Sequence, residues 1–310
     1  MTKSSPTISF HPDLKMGKWF PRVPVNKLTL PLFRAKLKPK TSTPRVDISE
    51  VEVTTRGGVR RARFFRPAGN SADLPLVYWR HGGGMVGGNP VADDTQSIRI
   101  VEKLGIAVVN MSYRFAPEHP APAAIDDVED GYLHFVENAS TLGVDPKKIV
   151  IAGASAGGGL TALLAQRLRH RDLPQPKLQV LIYPMLDDRT TLQTIKFKNM
   201  RAWYPESNRW AWRAFLRAEP GSDQVRADFV PAREINLTGL PPTWIGVGNL
   251  DLFEGEDREY ARRLSDAGIP CELVIIEGAF HGFDIVLRDA PVSREFLNTW
   301  LMATKKALQL

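Results

Sequence analysis

A serine inside a glycine-rich pentapeptide is the residue of this chain best suited to nucleophilic chemistry. Ser155 lies in the segment Gly153 to Gly157 (GASAG), which has the Gly-x-Ser-x-Gly spacing of a nucleophile elbow. At such an elbow the serine occupies so tight a turn that its neighbours must be small. A glycine-rich turn could instead bind phosphate. The dinucleotide spacing is not matched, and the lysine of a Walker A loop is missing, so the pattern favours the nucleophile.

A second glycine-rich segment lies upstream of the serine. His81 to Gly84 (HGGG) follows a predicted strand, and the backbone N–H groups of such a segment can face a negatively charged oxygen. We therefore expect Gly83 and Gly84, together with Ala156 just after the serine, to form an oxyanion hole. Alternatively, the glycines could form only a flexible loop. The presence of a candidate base and a candidate acid further along the chain, described next, favours the oxyanion hole.

A serine hydroxyl needs a general base, and the six histidines offer few candidates. In elbow-type hydrolases the order along the chain is serine, acid, histidine, which leaves only His170 and His281. His170 would lie at the far end of the helix that begins at Ser155, several turns away. His281 follows a predicted strand, in a loop, and is therefore the expected base.

The acid that orients this imidazole is expected at the carboxyl end of a strand, where functional groups of open α/β sheets gather. Asp251 follows a predicted strand by a few residues and fits best. Glu254 and Asp257 are rivals, but both fall at the start of a predicted helix and suit its first turn. Asp187 and Asp188 follow another strand, and a turn or helix cap is their simpler interpretation.

The elements that must position these groups alternate along the chain from about residue 48. Short, nearly continuous apolar runs predict strands at 59–66, 74–80, 107–113, 148–152, 178–183, 243–247 and 272–276. Amphipathic stretches between them predict helices at 93–103, 124–138, 156–171, 254–267 and 292–308. Alternation of this kind indicates a mostly parallel sheet with helices on both faces.

Two segments interrupt the alternation, and both carry bulky apolar residues. Residues 1–45 are rich in proline and basic side chains, and residues 188–220 contain several aromatics, of which Trp212 and Phe215 could share one helical face. We expect these segments to form a cap over a catalytic domain made of residues 46–187 and 221–310. For any single aromatic, packing of the cap is a simpler interpretation than contact with substrate.

Composition limits the class of protein. The hydrophobic fraction of 43% and the charged fraction of 24% are ordinary for a soluble globular chain. No apolar run approaches the ~18 residues of a membrane-spanning helix. The N-terminal sequence lacks the pattern of a secretory signal, so a cytoplasmic location is expected.

The single cysteine and the positive net charge further limit the compartment and the class of partner. Cys271 excludes an intrachain disulfide and fits a reducing compartment, and its strand-like surroundings favour a small buried hydrophobe over a reactive thiol. The formal net charge is +7, with many lysines and arginines scattered among prolines and leucines before residue 45. Without stacking aromatics or a nucleic-acid motif, these charges indicate a solvated surface and not a nucleic-acid site.

The motifs together resemble the hormone-sensitive lipase family of α/β-hydrolases, in particular its small microbial esterases (family IV). The resemblance extends from about residue 75 to residue 283 in the family's order. The matching segments are His81 to Gly84, Tyr113 to Pro120, Gly153 to Gly158, Tyr183 to Asp187, Asp251 to Glu254 and His281 to Phe283.

This resemblance implies an α/β-hydrolase fold, with a mostly parallel central sheet flanked by helices and a helical cap from the N-terminus and a mid-chain insertion. It implies a serine carboxylesterase that acts on short- to medium-chain acyl esters through an acyl-enzyme intermediate, without a cofactor or metal. Its partner would be a small-molecule ester. Family members often form dimers, so the resemblance leaves a homodimer open as the oligomeric state. Ser155, His281 and Asp251 would then form the catalytic triad.

The chain departs from the family pattern at two places. An acidic residue usually precedes the nucleophile, whereas this chain has Ala154, and many members have Asp-Pro-Leu where this chain has Asp251 to Phe253. Neither change removes a triad residue, although the first alters local hydrogen bonding. The segment Tyr113 to Pro120 is interpreted as a structural turn that braces the oxyanion loop.

Two other functions stay open. A non-catalytic receptor for a small ligand can use the same fold, but receptors of this kind lose the catalytic histidine, and His281 is present. A lactonase, amidase or acyltransferase could use the same triad, and the sequence does not separate these reactions from ester hydrolysis because the acyl-enzyme step is shared.

Overall fold

The structure is a computed structural model, and it describes residues 9–21, 24–35, 37–70, 72–194 and 199–310. Within these residues eight strands form one sheet, in the order β1-β2-β4-β3-β5-β6-β7-β8. β1 pairs antiparallel with β2 and β2 antiparallel with β4, and all the other neighbours are parallel. The strands are β1 (Val46–Thr55), β2 (Gly58–Pro67), β3 (Leu74–Arg80), β4 (Ala107–Met111), β5 (Val144–Ala154), β6 (Leu178–Ile182), β7 (Thr243–Gly248) and β8 (Cys271–Ile276).

Helices cover both faces of this sheet. The α-helices of the described residues are α1 (Leu30–Phe33), α2 (Asp94–Leu104), α3 (Ala123–Glu137), α4 (Ala139–Leu142), α5 (Ala156–His170), α6 (Pro205–Leu216), α7 (Glu254–Asp266), α8 (Phe283–Val286) and α9 (Pro291–Leu308). Short 3₁₀ helices occupy Pro12–Trp19, Pro90–Asp93, Asp188–Leu192, Ala227–Phe229 and Pro231–Arg233. None of the helices described is long and apolar enough to cross a membrane.

The strand β3 shows how one run of residues serves two hydrophobic cores. All seven of its residues are buried, and successive side chains point to opposite faces of the sheet. Tyr78 faces α3, where its hydroxyl donates to the Val128 carbonyl at 2.8 Å. Trp79 faces α9, with its ring centroid 5.9 Å from that of Trp300. Helices α3, α5 and α7 thus contribute to one core and α2 and α9 to the other.

The predicted sheet and its flanking helices are confirmed, with most ends within a few residues. The strand β1 was not predicted. It is an edge strand in which only Val46, Val53 and Thr55 are buried, so it lacks the apolar run by which the other strands were recognised. Cys271 is partly buried rather than fully buried, because it begins the edge strand β8, and burial raises the pKa of its thiol to about 12.

The two segments that interrupt the alternation contact each other. The Val25 amide donates to the Ser207 hydroxyl at 2.9 Å, and the Arg201 guanidinium donates to the Gly17 carbonyl at 3.2 Å. These contacts support the predicted division into a catalytic domain and a cap, which stays a prediction. Residues 1–8, 22–23, 36 and 195–198 of the predicted cap and residue 71 of the predicted catalytic domain lie outside the described residues.

Candidate active site

Ser155 lies at a sharp turn between β5 and α5. Its φ of 56° and ψ of −123° are strained for a residue with a side chain, as expected at a nucleophile elbow. A Cβ at Gly153 would collide with the carbonyl oxygen of Gly157, and one at Gly157 would collide with the carbonyl oxygen of Arg80. The Ser155 amide donates to the Ile182 carbonyl at 2.9 Å. The glycines therefore allow the close approach that the turn requires.

Two hydrogen bonds connect the side chains of Ser155, His281 and Asp251. The Nε2 atom of His281 lies 3.0 Å from the Ser155 Oγ atom, and its Nδ1 atom lies 2.8 Å from an Asp251 carboxylate oxygen. The other Asp251 oxygen accepts from the Phe253 amide at 3.0 Å. With Nδ1 protonated towards Asp251, Nε2 is free to accept the serine proton. The structure thus brings together the three residues predicted as a triad.

Aromatic rings surround the imidazole of His281. The ring centroid of Tyr183 lies 4.8 Å from it and that of Phe253 lies 5.3 Å from it, both edge to face, and Trp203 lies 6.4 Å away. His281 is only 7% exposed. This packing holds the imidazole between the carboxylate and the serine without a competing polar partner among the described side chains around the ring.

The two rival acids at the start of α7 do not contact the imidazole of His281 through a hydrogen bond. Glu254 forms an ion pair with Arg258 one helical turn later. Asp257 is fully buried, and neither of its carboxylate oxygens has a hydrogen-bond partner among the described residues. The hydrogen bonds of the described residues connect neither side chain to His281, which agrees with the preference for Asp251.

The two aspartates that follow β6 have structural partners. Asp187 accepts from the Arg189 amide at 2.9 Å and thereby caps the 3₁₀ helix Asp188–Leu192. Asp188 is buried and forms an ion pair with Arg233 at 2.8 Å. Their predicted role as turn or cap residues agrees with these contacts.

His170 also lies where the sequence places it. It is the last residue of α5, at the opposite end of the helix from Ser155, and its ring lies 2.9 Å from the Glu234 carboxylate. It therefore has no path to the serine hydroxyl.

The loop that carries Gly83 and Gly84 runs beside the serine. Both glycines have a positive φ, 125° and 62° respectively, and a Cβ at Gly82 would lie 3.3 Å from the Cβ of Ser155. Among the described residues no acceptor pairs with the N–H groups of Gly83 and Gly84. The Ala156 N–H begins α5, where helical N–H groups have no partner within the helix. Three backbone donors near the serine thus stay free for a ligand.

The oxyanion loop is held from behind by His81 and Tyr113. The Tyr113 hydroxyl donates to the His81 carbonyl at 3.0 Å, and the two rings stack with centroids 4.4 Å apart. Burial lowers the pKa of His81 to about 4, so this ring is neutral at physiological pH. The Ala116 amide donates to the Met85 carbonyl at 3.0 Å. These contacts agree with the predicted bracing role of the segment 113–120.

Ser155 and His281 open into a cavity of about 370 Å³. Its walls are mostly apolar, and they combine the two glycine-rich motifs with distant segments. Among the lining side chains are Leu32, Phe33, Leu37, Trp203, Ile285 and Val286. Asp93, which also lines the cavity, was missed as a site residue, because an acid at the start of a predicted helix is normally explained by the helix dipole.

The sheet order and the serine turn after β5 define the class of the protein: an α/β-hydrolase. Residues 77–285 match the family described as alpha/beta hydrolase fold. Carboxylesterase NlhH of Mycobacterium tuberculosis is 34% identical over 254 residues, covering 79% of this chain and 78% of that protein. Ethyl acetate hydrolase of Pseudomonas putida is 30% identical over 240 residues, covering 76% and 75%.

A solved structure extends the similarity to almost the whole chain. The structure of a bacterial heroin esterase matches with a TM-score of 0.88 at 30% identity, covering 97% of this chain and 98% of that chain. The chain belongs to the hormone-sensitive lipase-like family of carboxylesterases (family IV) within the α/β-hydrolase superfamily. The family resemblance inferred from the motifs is thereby confirmed.

Proposed function

We propose that this chain is a serine carboxylesterase that hydrolyses short- to medium-chain acyl esters through an acyl-enzyme intermediate. The observation that carries the proposal is the continuous hydrogen-bonded path from the Ser155 hydroxyl through His281 to Asp251, together with the cavity into which Ser155 opens. A serine hydroxyl becomes a useful nucleophile when a base removes its proton as it attacks. The three side chains have the distances that this step requires.

In the first half of the reaction, the Ser155 oxygen attacks the ester carbonyl while His281 takes the hydroxyl proton. Asp251 fixes the tautomer of the imidazole and stabilises its positive charge. The carbonyl oxygen becomes an oxyanion, which accepts hydrogen bonds from the N–H groups of Gly83, Gly84 and Ala156. As the carbonyl reforms, the bond to the alcohol oxygen breaks, and His281 donates its proton to the departing alcohol.

In the second half, water replaces the alcohol. His281 removes a proton from the water as its oxygen attacks the acyl-enzyme carbonyl, and the same three N–H groups receive the oxyanion. The bond to the Ser155 oxygen then breaks, His281 returns a proton to it, and the carboxylic acid leaves. No step needs a cofactor or metal ion.

The size of the cavity supports small substrates. A volume of about 370 Å³ lies near the lower end of ligand pockets, which suits a short or medium acyl chain better than a long lipid. Two relatives are named for small esters: ethyl acetate hydrolase and heroin esterase.

A cytoplasmic location and a homodimer belong to the same proposal. Fractionation of the producing cells tests the location, and light scattering of the purified chain tests the oligomeric state.

The direct test is Ser155→Ala, assayed with p-nitrophenyl acetate and butyrate. We expect turnover to fall by about 10⁴-fold or more while the circular dichroism spectrum and melting temperature stay close to those of the wild type. Ser140→Ala is the matched control, since Ser140 is exposed on α4. A fluorophosphonate should phosphonylate the Ser155 oxygen with loss of fluoride, so that a peptide containing Ser155 gains the mass of the phosphonyl group. Retained turnover in Ser155→Ala contradicts the proposal.

A panel of substrates tests the rest of the proposal. We expect p-nitrophenyl esters with acyl chains up to about eight carbons to react faster than longer ones, because a cavity of about 370 Å³ has little room for a longer chain. Lactones and amides of matched size distinguish an esterase from a lactonase or amidase. Binding of a small ligand without any turnover would support a receptor instead.

A further inference from the structure

We propose that Asp93 forms a subsite of the catalytic cavity that selects esters carrying a positively charged amine. This inference rests on the proposed esterase function and adds a substrate class to it. It starts from the position of Asp93, which is the last residue of the 3₁₀ helix Pro90–Asp93 and lines the same cavity as Ser155 and His281. The side chain is 7% exposed, so its carboxyl group is almost entirely enclosed.

Only one oxygen of this carboxyl group has a hydrogen-bond partner among the described residues. Its Oδ2 atom accepts from the Trp79 indole N–H at 2.7 Å. Its Oδ1 atom has no donor with hydrogen-bond geometry, and the neighbouring Asn110 amide donates to the Pro90 carbonyl at 3.1 Å. Asp93 lines the cavity, and Oδ1 is its one oxygen without a partner among the described residues.

The charges around Asp93 leave it without a cation. No ion pair among the described residues includes it. Asp94, the next residue, is neutralised by Arg63 at 2.7 Å. Asp284 on α8 adds negative potential, and its carboxylate accepts from the hydroxyl of Tyr183, which lines the cavity, at 2.7 Å. This wall of the cavity thus carries an acidic side chain without a counter-ion, whereas most of the rest is apolar.

An unpaired buried carboxylate is unfavourable unless a ligand supplies the missing charge. Burial raises the pKa of Asp93 to about 7, with Asp284 and Asp94 acting in the same direction and the Trp79 hydrogen bond opposing it. A bound ammonium group removes this penalty, because it favours the ionised carboxylate. The rings of Tyr183 and Trp203 on the cavity wall suit the alkyl groups of an amine and can also attract its charge.

The first experiment uses the wild-type chain and two pairs of isosteric esters at pH about 8. One pair is acetylcholine and its carbon isostere, in which a tert-butyl group replaces the trimethylammonium group. The other is ethyl trimethylammoniobutyrate and its tert-butyl isostere, which place the charge in the acyl part. We expect kcat/KM to be higher for the cation by about tenfold or more in one pair. The free energy of a hydrogen bond or ion pair with an enclosed charge corresponds to a factor of about this size.

The second experiment repeats the comparison with Asp93→Asn. The amide oxygen can still accept from the Trp79 indole, so the substitution removes the charge and preserves the contact that holds the side chain. We expect the cation-to-isostere ratio to fall to about one. Asp289→Asn is the control with the same change in net charge, because Asp289 is exposed and pairs with Arg99 at the surface. It should leave the ratio unchanged.

A pH series separates a charge effect from a structural one. A quaternary ammonium does not titrate, and the titration of the catalytic groups cancels in the ratio. Because Asp93 is ionised above a pKa of about 7, the wild-type ratio should rise between pH about 6 and 8. In Asp93→Asn the nearby Asp284, whose pKa burial raises to about 6, still titrates but does not line the cavity, so the rise should be much smaller. If the variant does not fold, competitive inhibition of the wild type is compared between choline and 3,3-dimethylbutan-1-ol, the alcohol in which a tert-butyl group replaces the trimethylammonium group.

The outcomes distinguish the inference from the function on which it rests. Turnover of the neutral isosteres with a ratio near one in both pairs, and equal inhibition by choline and its isostere, overturns the cationic subsite and leaves the esterase intact. A ratio that survives Asp93→Asn overturns the assignment to Asp93. Absence of turnover with every ester, including p-nitrophenyl acetate, counts against the proposed function itself.

Discussion

The two sides of the catalytic cavity are built in different ways. On the sheet side, hydrogen bonds position the reactive groups: the Ser155 amide is bound by the strand β6, and Asp251 accepts from both His281 and the Phe253 amide. On the opposite side, the wall consists of apolar side chains such as Phe33 and Trp203, whose contacts are mostly packing.

This difference separates two requirements of an enzyme. Chemistry needs groups held to within fractions of an ångström, which strand ends and a strained turn provide. Choice of substrate needs a shaped surface, which loops and short helices outside the sheet can vary without disturbing the reacting atoms. We therefore expect substitutions on the sheet side to lower kcat, and substitutions on the opposite side to change KM and the order of substrate preference.

The largest expected effect is that of Asp251→Asn on the sheet side. The amide preserves the shape but cannot stabilise the imidazolium, and it favours the wrong histidine tautomer, so kcat should fall by about 10²–10⁴ with a smaller change in KM. Steady-state kinetics with p-nitrophenyl butyrate measure this.

Glu254→Gln serves as the matched control for that substitution, because it changes a nearby carboxylate that pairs with Arg258 instead of His281. We expect its kcat to stay close to the wild-type value. A loss in Glu254→Gln as large as that in Asp251→Asn would transfer the orienting role to the rival acid.

A smaller effect is expected where the two sides meet. A Cβ at Gly84 would lie 2.5 Å from the indole of Trp203, and the φ of 62° adds backbone strain. Gly84→Ala should therefore displace the oxyanion donor and reduce kcat by about 10- to 100-fold. Adding Trp203→Leu should restore part of this loss, since it removes the collision and leaves the strain.

Two further variants complete that comparison. Trp203→Leu alone should act mainly on KM. Gly105→Ala introduces a side chain at a similar φ, 68°, in open space at the end of α2, so it should lower the melting temperature without changing kcat. Full activity in Gly84→Ala would show that the oxyanion loop adapts and that the contact between the two sides is not needed for its position.

The sequence predicts the sheet side far better than the opposite wall. Strands such as β3 and β6 are apolar throughout because both faces are covered, and the elbow around Ser155 needs small residues at fixed spacing. His281 was identified because chain order and helix length exclude the other histidines. In each case a local physical requirement leaves few residue types that fit.

The opposite wall has no such local requirement. Phe33, Trp203 and Ile285 meet only after folding, and nothing in the spacing of apolar residues distinguishes a cavity wall from ordinary core packing. Asp93 resembles any acid in the first turn of a helix until the fold places it on the cavity wall. β1 was missed because an edge strand with exposed charges lacks the apolar run of a buried one.

The smallest expected effect concerns a carboxyl group near the triad that lacks the partners of Asp251. Burial, with Glu256 and Asp251 nearby, raises the pKa of Asp257 well above its usual 3.8. The folded chain therefore keeps this proton where the unfolded chain has lost it, and the free energy of unfolding falls as pH rises above about 4, by up to about 1.4 kcal/mol per pH unit.

In Asp257→Asn this loss of stability with pH is absent. Relative to the wild type, the variant's free energy of unfolding should therefore increase between pH about 5 and 8, as measured by urea denaturation, with little change in turnover. Equal pH slopes in the two proteins would mean that Asp257 ionises in the fold, and a large loss of turnover would give this second buried aspartate a part in the chemistry that its contacts do not suggest.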